Sequence, residues 1–307
     1  MIYYVEGNLF ETPAQTLVNT VNTVGVMGKG IAKQFKTIFP EMFQQYRDLC
    51  EKGEFKIGQL WLYKTPHKWI LNFPTKKDWR HPSRIEYIED GLKKFQETSS
   101  ILGIHSVAFP ALGCGNGELG WENTVRPLME KYLSRLPIDV FIYPHKPSGE
   151  EPEHKKVQEI KRWLLHEPQA LPFTEVWKDL EGILKSKKDF KTLSQGIHFT
   201  ASLSSDPPGI KIHDRKSFIS QEALLNIWKQ IRSYGFTARP LVPGGLDKDI
   251  SYLAPILAEL EYIQAVPISQ SYQGLVGNAA IGLQYKAPSQ ESHGNLDLFV
   301  DQVTRLG

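Results

Sequence analysis

A glycine-rich loop between a β-rich run and a helical pattern is the feature that most constrains how this chain can fold. The loop places Gly25, Gly28 and Gly30 between the apolar run 16–21 and a helical pattern near 31–36. Glycine permits positive φ and a close approach of backbone to ligand, and a helix N-terminus offers unpaired N–H groups to an anion. The pattern predicts a phosphate-binding turn, although an ordinary strand-to-helix turn explains this one loop about as well.

A second loop of the same kind follows later in the chain. Residues 113–117, Gly-Cys-Gly-Asn-Gly, come after the β-rich run 106–112 and before a helical pattern near 122–134. In an open α/β sheet, loops at the carboxyl ends of neighbouring strands meet in one crevice. The two loops together therefore predict a site that holds a diphosphate from both sides.

Strand and helix patterns alternate through the rest of the first half. Further predicted strands cover 59–64, 69–73 and 138–143, and further helices cover 41–52 and a segment starting at Ser83. In that last segment Ile85, Ile88, Leu92 and Phe95 fall on one helical face. This alternation predicts an α/β fold in which helices cover a sheet.

The length of 307 residues suits two domains. Residues 144–153 contain three prolines, a glycine and several charges, a composition typical of a linker, so we predict domains over 1–147 and 155–307. Helical patterns in the second half cover 155–166, 173–187, 221–234 and 250–263, separated by the Pro/Gly-rich stretches 206–209 and 240–245. We expect a second domain of the α+β class.

Composition excludes several classes of protein. Cys50 and Cys114 are the only cysteines, too few for a disulfide framework, and no two histidines have metal-ligand spacing. We therefore expect neither a metal nor another cofactor. No run approaches the roughly 18 apolar residues of a membrane helix, and residues 1–7 lack the pattern of a signal peptide. These observations predict a cytoplasmic protein without a membrane partner.

The net charge of +2 is small, but its distribution is uneven. From Asp249 onward there are six acidic residues against two basic ones. Such an acidic end suits docking on a basic, DNA-binding groove, although an ordinary solvated face explains it slightly better. The segment 274–278, Gly-Leu-Val-Gly-Asn, is read as a turn between strands rather than a third phosphate loop.

The two loops, together with the segment 72–76 (Asn-Phe-Pro-Thr-Lys), resemble the macrodomain family, and specifically its DarG-like group of DNA-directed antitoxins. The resemblance covers most of residues 1–147 and implies an α/β/α sandwich around a mixed, mainly parallel sheet, with the diphosphate of ADP-ribose between the loops and the distal ribose near Asn22. The implied ADP-ribose-binding residues are Asn22, Gly25, Val26, Met27, Gly28, Lys29, Gly30 and Ile31 in the first loop, and Pro110, Leu112, Gly113, Cys114, Gly115, Asn116 and Gly117 around the second.

The same resemblance implicates Lys76 in catalysis. Release of ADP-ribose breaks a bond at the anomeric carbon, where positive charge develops and a nucleophile or activated water must arrive. Like charge from Lys77 and Arg80 is expected to lower the pKa of Lys76 and favour its free amine. Without the resemblance, the end of a solvated strand explains this lysine better.

The sequence departs from the similar terminal ADP-ribose glycohydrolases at one position. Those proteins carry an aspartate where this chain has Gly117. The neighbouring Glu118 offers a carboxylate, although a solvated loop acid is the simpler interpretation. Cys114 has no histidine beside it in sequence and is interpreted as a packing residue.

Trp79 and Arg80 are predicted to contact the substrate, by stacking on a base and by binding a phosphate, with surface packing as the alternative. The resemblance further implies ADP-ribosylated DNA as substrate, which we predict to be single-stranded. It also implies a DarT-like DNA ADP-ribosyltransferase toxin as the partner of residues 155–307. Two other functions stay open: a module that only binds ADP-ribose, and a hydrolase of ADP-ribosyl esters on proteins.

Overall fold

A computed structural model of the chain describes residues 1–144, 151–243, 246–268 and 281–288. Its N-terminal half contains one mixed sheet of six strands in the order β1-β6-β5-β2-β4-β3. All neighbouring strands are parallel except β3, which runs antiparallel to β4 at the edge. The strands are β1 (Ile2–Tyr4), β2 (Thr16–Asn22), β3 (Trp61–Lys64), β4 (Trp69–Lys76), β5 (Ser106–Pro110) and β6 (Asp139–Tyr143).

Four helices cover this sheet: α1 (Gly30–Ile38), α2 (Pro40–Glu51), α3 (Ile85–Thr98) and α4 (Arg126–Leu133). Successive strand residues face opposite sides, so Leu17 of β2 packs with α1 and α2 while Val18 packs with α3 and α4. Ile88, Leu92 and Phe95 of α3 are all fully buried, as their spacing predicted. The expected three-layered α/β/α arrangement is confirmed.

Three local features differ from the sequence prediction. Strand β1 was not predicted, because three residues carry too short a pattern. The helix expected near 122–134 begins with a π-helical turn at Trp121–Val125 and continues as α4. The helix expected over 250–263 ends at Leu257, and a strand begins at Ile263.

The C-terminal half is of the α+β class, as expected. Its helices are α5 (Val157–His166), α6 (Phe173–Ser186), α7 (Gln221–Tyr234) and α8 (Ile250–Leu257). An antiparallel sheet in the order β10-β9-β8-β7 contains β7 (Asp189–Lys191), β8 (His198–Ser205), β9 (Pro208–Ile212) and β10 (Ser217–Ser220). A second one, in the order β11-β13-β12, contains β11 (Phe236–Ala238), β12 (Ile263–Pro267) and β13 (Ile281–Tyr285).

The two halves share buried contacts. Val26 and Trp79 of the N-terminal half belong to the same apolar cluster as the core of the C-terminal half. Beside it, Arg232 of α7 donates to Glu51 of α2 at 2.5 Å, and both side chains are at most 2% exposed. The predicted domain boundary at residues 148–154 lies partly outside the described residues, which omit 145–150, and it stays a prediction. The segment 274–278 also lies outside them.

Candidate active site

A cavity of about 1580 Å³ opens at the carboxyl ends of the parallel strands. Both glycine-rich loops line it, one after β2 and the other after β5, which are neighbours in the sheet. The two loops also contact each other, because a Cβ at Gly30, whose φ is +58°, would lie 2.7 Å from Asn116 Nδ2. The meeting of the loops predicted from the sequence is therefore confirmed by the structure.

Asn22 shapes the first loop. Its Oδ1 accepts from Val24 N at 3.1 Å and Val26 N at 3.2 Å, and its Nδ2 donates to Val26 O at 2.6 Å. The buried Tyr46 hydroxyl donates to Asn22 O at 2.6 Å. These bonds fix the turn that carries the chain into α1, and a helix N-terminus offers the kind of unpaired N–H groups that bind anions.

The second loop has no room for a side chain at Gly117. A Cβ there would lie 2.3 Å from both Gly113 O and Ser83 Oγ. The next residue, Glu118, points out of the loop and is bound by Lys155 and by His154 Nε2, the latter at 2.8 Å. The hydrogen bond from Lys155, then that from His154, lowers the pKa of Glu118 below its usual value. Neither position supplies a free carboxylate to the cavity.

Lys76 ends β4, opposite Asn22 of β2, and lines the cavity with its side chain only 7% exposed. Its Nζ donates to Asn116 O at 2.7 Å and to Glu153 Oε1 at 3.2 Å. The expectation that like charges surround it is wrong: Arg80 is paired with Glu175 and Asp78, and Lys77 lies near the Tyr87 ring. Among the described residues, the charged group bonded to Lys76 is the Glu153 carboxylate.

Glu153 reaches Lys76 from the short 3₁₀ turn Glu153–Lys155 that precedes α5. Its burial raises the pKa of its carboxyl above the usual value, and the nearby Lys76 opposes that shift. Sequence reasoning missed this residue because an acidic, proline-rich segment carries the pattern of a linker. The contact joins positions 77 residues apart.

Most of the predicted ADP-ribose-binding residues lie together. Those lining the cavity are Asn22, Val26, Gly28, Lys29, Gly30, Ile31, Pro110, Gly113, Cys114, Gly115, Asn116 and Gly117. Gly25, Met27 and Leu112 do not line it: Met27 and Leu112 are buried in apolar clusters on either side of the sheet, and Gly25 packs toward Arg47, Cys50 and Pro172. Binding by the lining residues stays a prediction.

Trp79 and Arg80 do not line the cavity either. Trp79 is fully buried in the cluster shared with the C-terminal half, with the Arg80 guanidinium 4.1 Å from its ring centroid. Arg80 donates through both terminal nitrogens to Glu175 of α6. Both side chains therefore pack against the C-terminal half. This agrees with the alternative that they are packing residues.

Residues 6–10 and 119–122 also line the cavity, and the loop patterns did not mark them. Residues 6–10 follow β1, which is parallel to β6, so its carboxyl end lies at the same edge as those of β2 and β5. Recognition of β1 as a strand would have predicted this wall of the cavity.

Cys114 lines the cavity as a protonated thiol. Burial raises its pKa to about 12, and its Sγ lies 3.5 Å from Leu112 O. A thiol with that pKa is a poor nucleophile near neutral pH, which supports its interpretation as a packing residue. Among the described residues, no three His, Cys, Asp or Glu side chains are grouped so as to hold a metal ion.

Comparison with known proteins gives a family for the N-terminal half of the chain. The family model named Macro domain matches residues 18–128. The solved macrodomain of Thermus aquaticus DarG is 48% identical, with 47% of this chain and 97% of that chain covered and a TM-score of 0.45. The N-terminal half of this chain belongs to the macrodomain family.

The macrodomain is also similar to curated proteins of stated activity. It is 46% identical over 147 residues to the DNA ADP-ribosyl glycohydrolase of Thermus aquaticus, with 47% of this chain and 41% of the relative covered. It is 42% identical over 158 residues to a DNA ADP-ribosyl transferase-DNA ADP-ribosyl glycohydrolase fusion protein of Thermosipho africanus, with 45% of this chain and 40% of the relative covered. The matched part thus spans about two fifths of these relatives. In the part of the chain that the structure describes, no helix is long and apolar enough to cross a membrane.

Proposed function

We propose that this chain hydrolyses the bond between ADP-ribose and a base of ADP-ribosylated DNA, and that Lys76 is its catalytic residue. The observation that carries the proposal is the position of Lys76 Nζ, which is buried in the cavity and bonded to the second glycine loop. The similarity to a DNA ADP-ribosyl glycohydrolase over this same half supports the choice of substrate.

The geometry suits a diphosphate sugar. The α1 N-terminus and the backbone of 113–117 would hold the two phosphates, and the loops would leave the distal ribose near Asn22 and Lys76. Lys76 would then act at the anomeric carbon, where charge develops as the base leaves. A site that only binds ADP-ribose has no need for a buried amine next to a buried carboxylate.

The decisive experiment compares release of free ADP-ribose from ADP-ribosylated single-stranded DNA by wild type and by Lys76→Ala. We expect at least a hundredfold lower rate in the variant, with ADP-ribose affinity by calorimetry changed less than threefold. Lys77→Ala, next in sequence but exposed, is the matched control and should keep the wild-type rate. Normal hydrolysis by Lys76→Ala would refute the assignment, and binding without release by wild type would leave an ADP-ribose-binding module.

The substrate strand and the linkage are tested in the same assay. The assay compares three substrates in parallel: ADP-ribosylated single-stranded DNA, ADP-ribosylated duplex DNA and a protein ADP-ribosylated on glutamate. We expect release of ADP-ribose from the single-stranded DNA. Faster release from the protein would favour an ester hydrolase. Access to DNA is consistent with the cytoplasmic location expected from the sequence.

We further propose that residues 155–307 bind a DarT-like transferase. The support is the relative in which a DNA ADP-ribosyl transferase and a glycohydrolase occur in one chain. A transferase encoded by a neighbouring gene should co-purify with the full chain and be inhibited by it. Full transferase activity in the presence of excess Lys76→Ala protein would exclude inhibition by binding, because that variant keeps the C-terminal half intact.

A further inference from the structure

We infer that Glu153, from the turn between the two halves, is the proton acceptor for Lys76 and thereby the second residue of the active site. This inference rests on the proposed function, since it assigns a role in the same reaction. It places one side of the active site outside the segment that matches the macrodomain family, which ends at residue 128.

The contact is direct and buried. Glu153 Oε1 lies 3.2 Å from Lys76 Nζ, and the two side chains are 9% and 7% exposed. The only other bond of the ammonium described is to a neutral acceptor, Asn116 O at 2.7 Å. A lysine held between one carbonyl and one carboxylate has a single group to which its proton can pass.

No other described acid can take this role. The carboxylates lining the described part of the cavity are Glu6, Glu122, Glu151 and Glu153, and only Glu153 is buried. Glu122 pairs with Arg126 on the exposed side of its helix.

The turn that carries Glu153 is held against both glycine loops. On the second loop, Glu118 binds both His154 and Lys155. On the first loop, Lys29 Nζ donates to Glu151 O. Attachment on both sides of Glu153 fixes its carboxylate over the cavity, which is the preorganisation that proton transfer requires.

The step balances with water as the only other reactant. The proton on Lys76 Nζ passes to Glu153 Oε1, and the Nζ lone pair forms a bond to the anomeric carbon as the carbon–nitrogen bond to the base breaks. The bonding electrons leave with the base, which takes the proton from Glu153. Water then attacks the anomeric carbon and displaces the Lys76 amine. Lys76 Nζ takes a proton from this water, which restores the ion pair between Lys76 and Glu153.

The groups that face the Glu153 carboxyl are Lys76 from β4, Lys29 from the first loop, His154 from its own turn and the Tyr46 hydroxyl of α2. Glu153 must be ionised to accept a proton, so the wild-type rate should fall on the acid side as this carboxyl is protonated. Glutamine keeps the hydrogen bond from Lys76 but cannot accept the proton.

The test measures kcat, KM and the pH–rate profile of the full chain and its Glu153→Gln variant on ADP-ribosylated single-stranded DNA. We expect about a hundredfold lower kcat, KM within threefold and loss of the acid limb of the profile. Glu153→Asp should retain that limb and a higher kcat than Glu153→Gln. Glu159→Gln, an exposed acid on α5, is the matched control, and thermal melts verify that each variant folds.

Three outcomes separate the hypotheses. An unchanged kcat in Glu153→Gln overturns the inference and leaves Lys76 untouched. A higher kcat in Glu153→Gln than in wild type also overturns the inference, because Glu153 would then block the cavity until substrate displaces it. Absence of release by the wild type would refute the proposed function itself, before any variant is compared.

Discussion

Several ion pairs connect the N-terminal half to the rest of the chain, and two clusters of them differ in kind, one at the cavity and one behind it. At the cavity, Lys76 pairs with the buried Glu153 carboxylate at 3.2 Å. Behind it, Glu175 of α6 accepts from both terminal nitrogens of Arg80, at 2.8 Å from Nη1, and from Lys178 at 3.4 Å. Lys178 also donates to Asp78 at 2.8 Å.

The pKa values of Glu153 and Asp78, one carboxylate from each cluster, shift in opposite directions. At Glu153 the largest influence is burial, which raises the pKa against the attraction of Lys76. At Asp78 burial also acts to raise the pKa, but hydrogen bonds from Lys178 and the Arg80 backbone overcome it and lower the pKa. The saturated cluster holds the halves together, whereas the cavity pair leaves a carboxylate that can exchange a proton.

The largest effect we predict from this difference is on stability. Arg80→Ala should lower the free energy of unfolding by about 3 kcal/mol, because it leaves the buried Glu175 with Lys178 alone. Affinity for ADP-ribose should stay within threefold, since Arg80 does not line the cavity. Urea unfolding and calorimetry measure the two quantities.

Lys185→Ala is the control, because Lys185 forms an exposed ion pair with Glu181. This substitution should lower the free energy of unfolding by at most about 1 kcal/mol. If Arg80→Ala instead kept its stability and lost activity on DNA, the original prediction that Arg80 contacts substrate would be favoured.

Sequence periodicity predicted the N-terminal sheet well because its longer strands are apolar runs. It predicted no individual strand in the C-terminal half, and there β9 (Pro208–Ile212) begins with Pro-Gly, which carries the signature of a turn. Strand β7 has only three residues, one of them buried, which is too short for a periodic pattern.

The parts of the site that depend on local sequence pattern were predicted. The parts that depend on how the two halves pack against each other were missed. The two glycine loops are local, and both were found. Glu153 and the burial of Trp79 depend on how the halves pack, and no spacing within either segment encodes that contact. Long-range packing also reversed the expected surroundings of Lys76, from cations to a carboxylate.

An effect of intermediate size is expected on the affinity for ADP-ribose, because the backbone is closely packed at Gly117 in the second loop. Gly117→Ala should weaken ADP-ribose binding about tenfold, or about 1.4 kcal/mol, because its Cβ would force the second loop away from Gly113 O and Ser83 Oγ. Calorimetric titration measures the affinity. The matched control is Gly182→Ala in α6, where a Cβ meets nothing within 4 Å, and it should raise stability by about 0.5–1 kcal/mol. Unchanged binding in Gly117→Ala would show that the loop relaxes at no cost to the phosphate site.

The smallest effect is on how the free energy of unfolding changes with pH. The contributions of Asp78 and Glu153 to this change have opposite signs. Asp78 has a folded pKa below its ordinary 3.8, so its contribution is present above that value and is lost as the pH falls through the folded pKa. Glu153 has a folded pKa above its ordinary 4.5, so the folded state keeps a proton that the unfolded chain releases, and stability falls as the pH rises from about 4.5 to the folded pKa.

Asp78→Asn should therefore lose less stability than wild type between pH 5 and pH 3, while Glu153→Gln should lose less between pH 4 and pH 7. Urea unfolding at each pH measures both slopes. Because a substitution also removes hydrogen bonds, the comparison uses the change in stability with pH and not its absolute value. Equal slopes for Glu153→Gln and wild type would mean that Glu153 titrates as it does in the unfolded chain, so that the attraction of Lys76 fully offsets the effect of burial on its pKa.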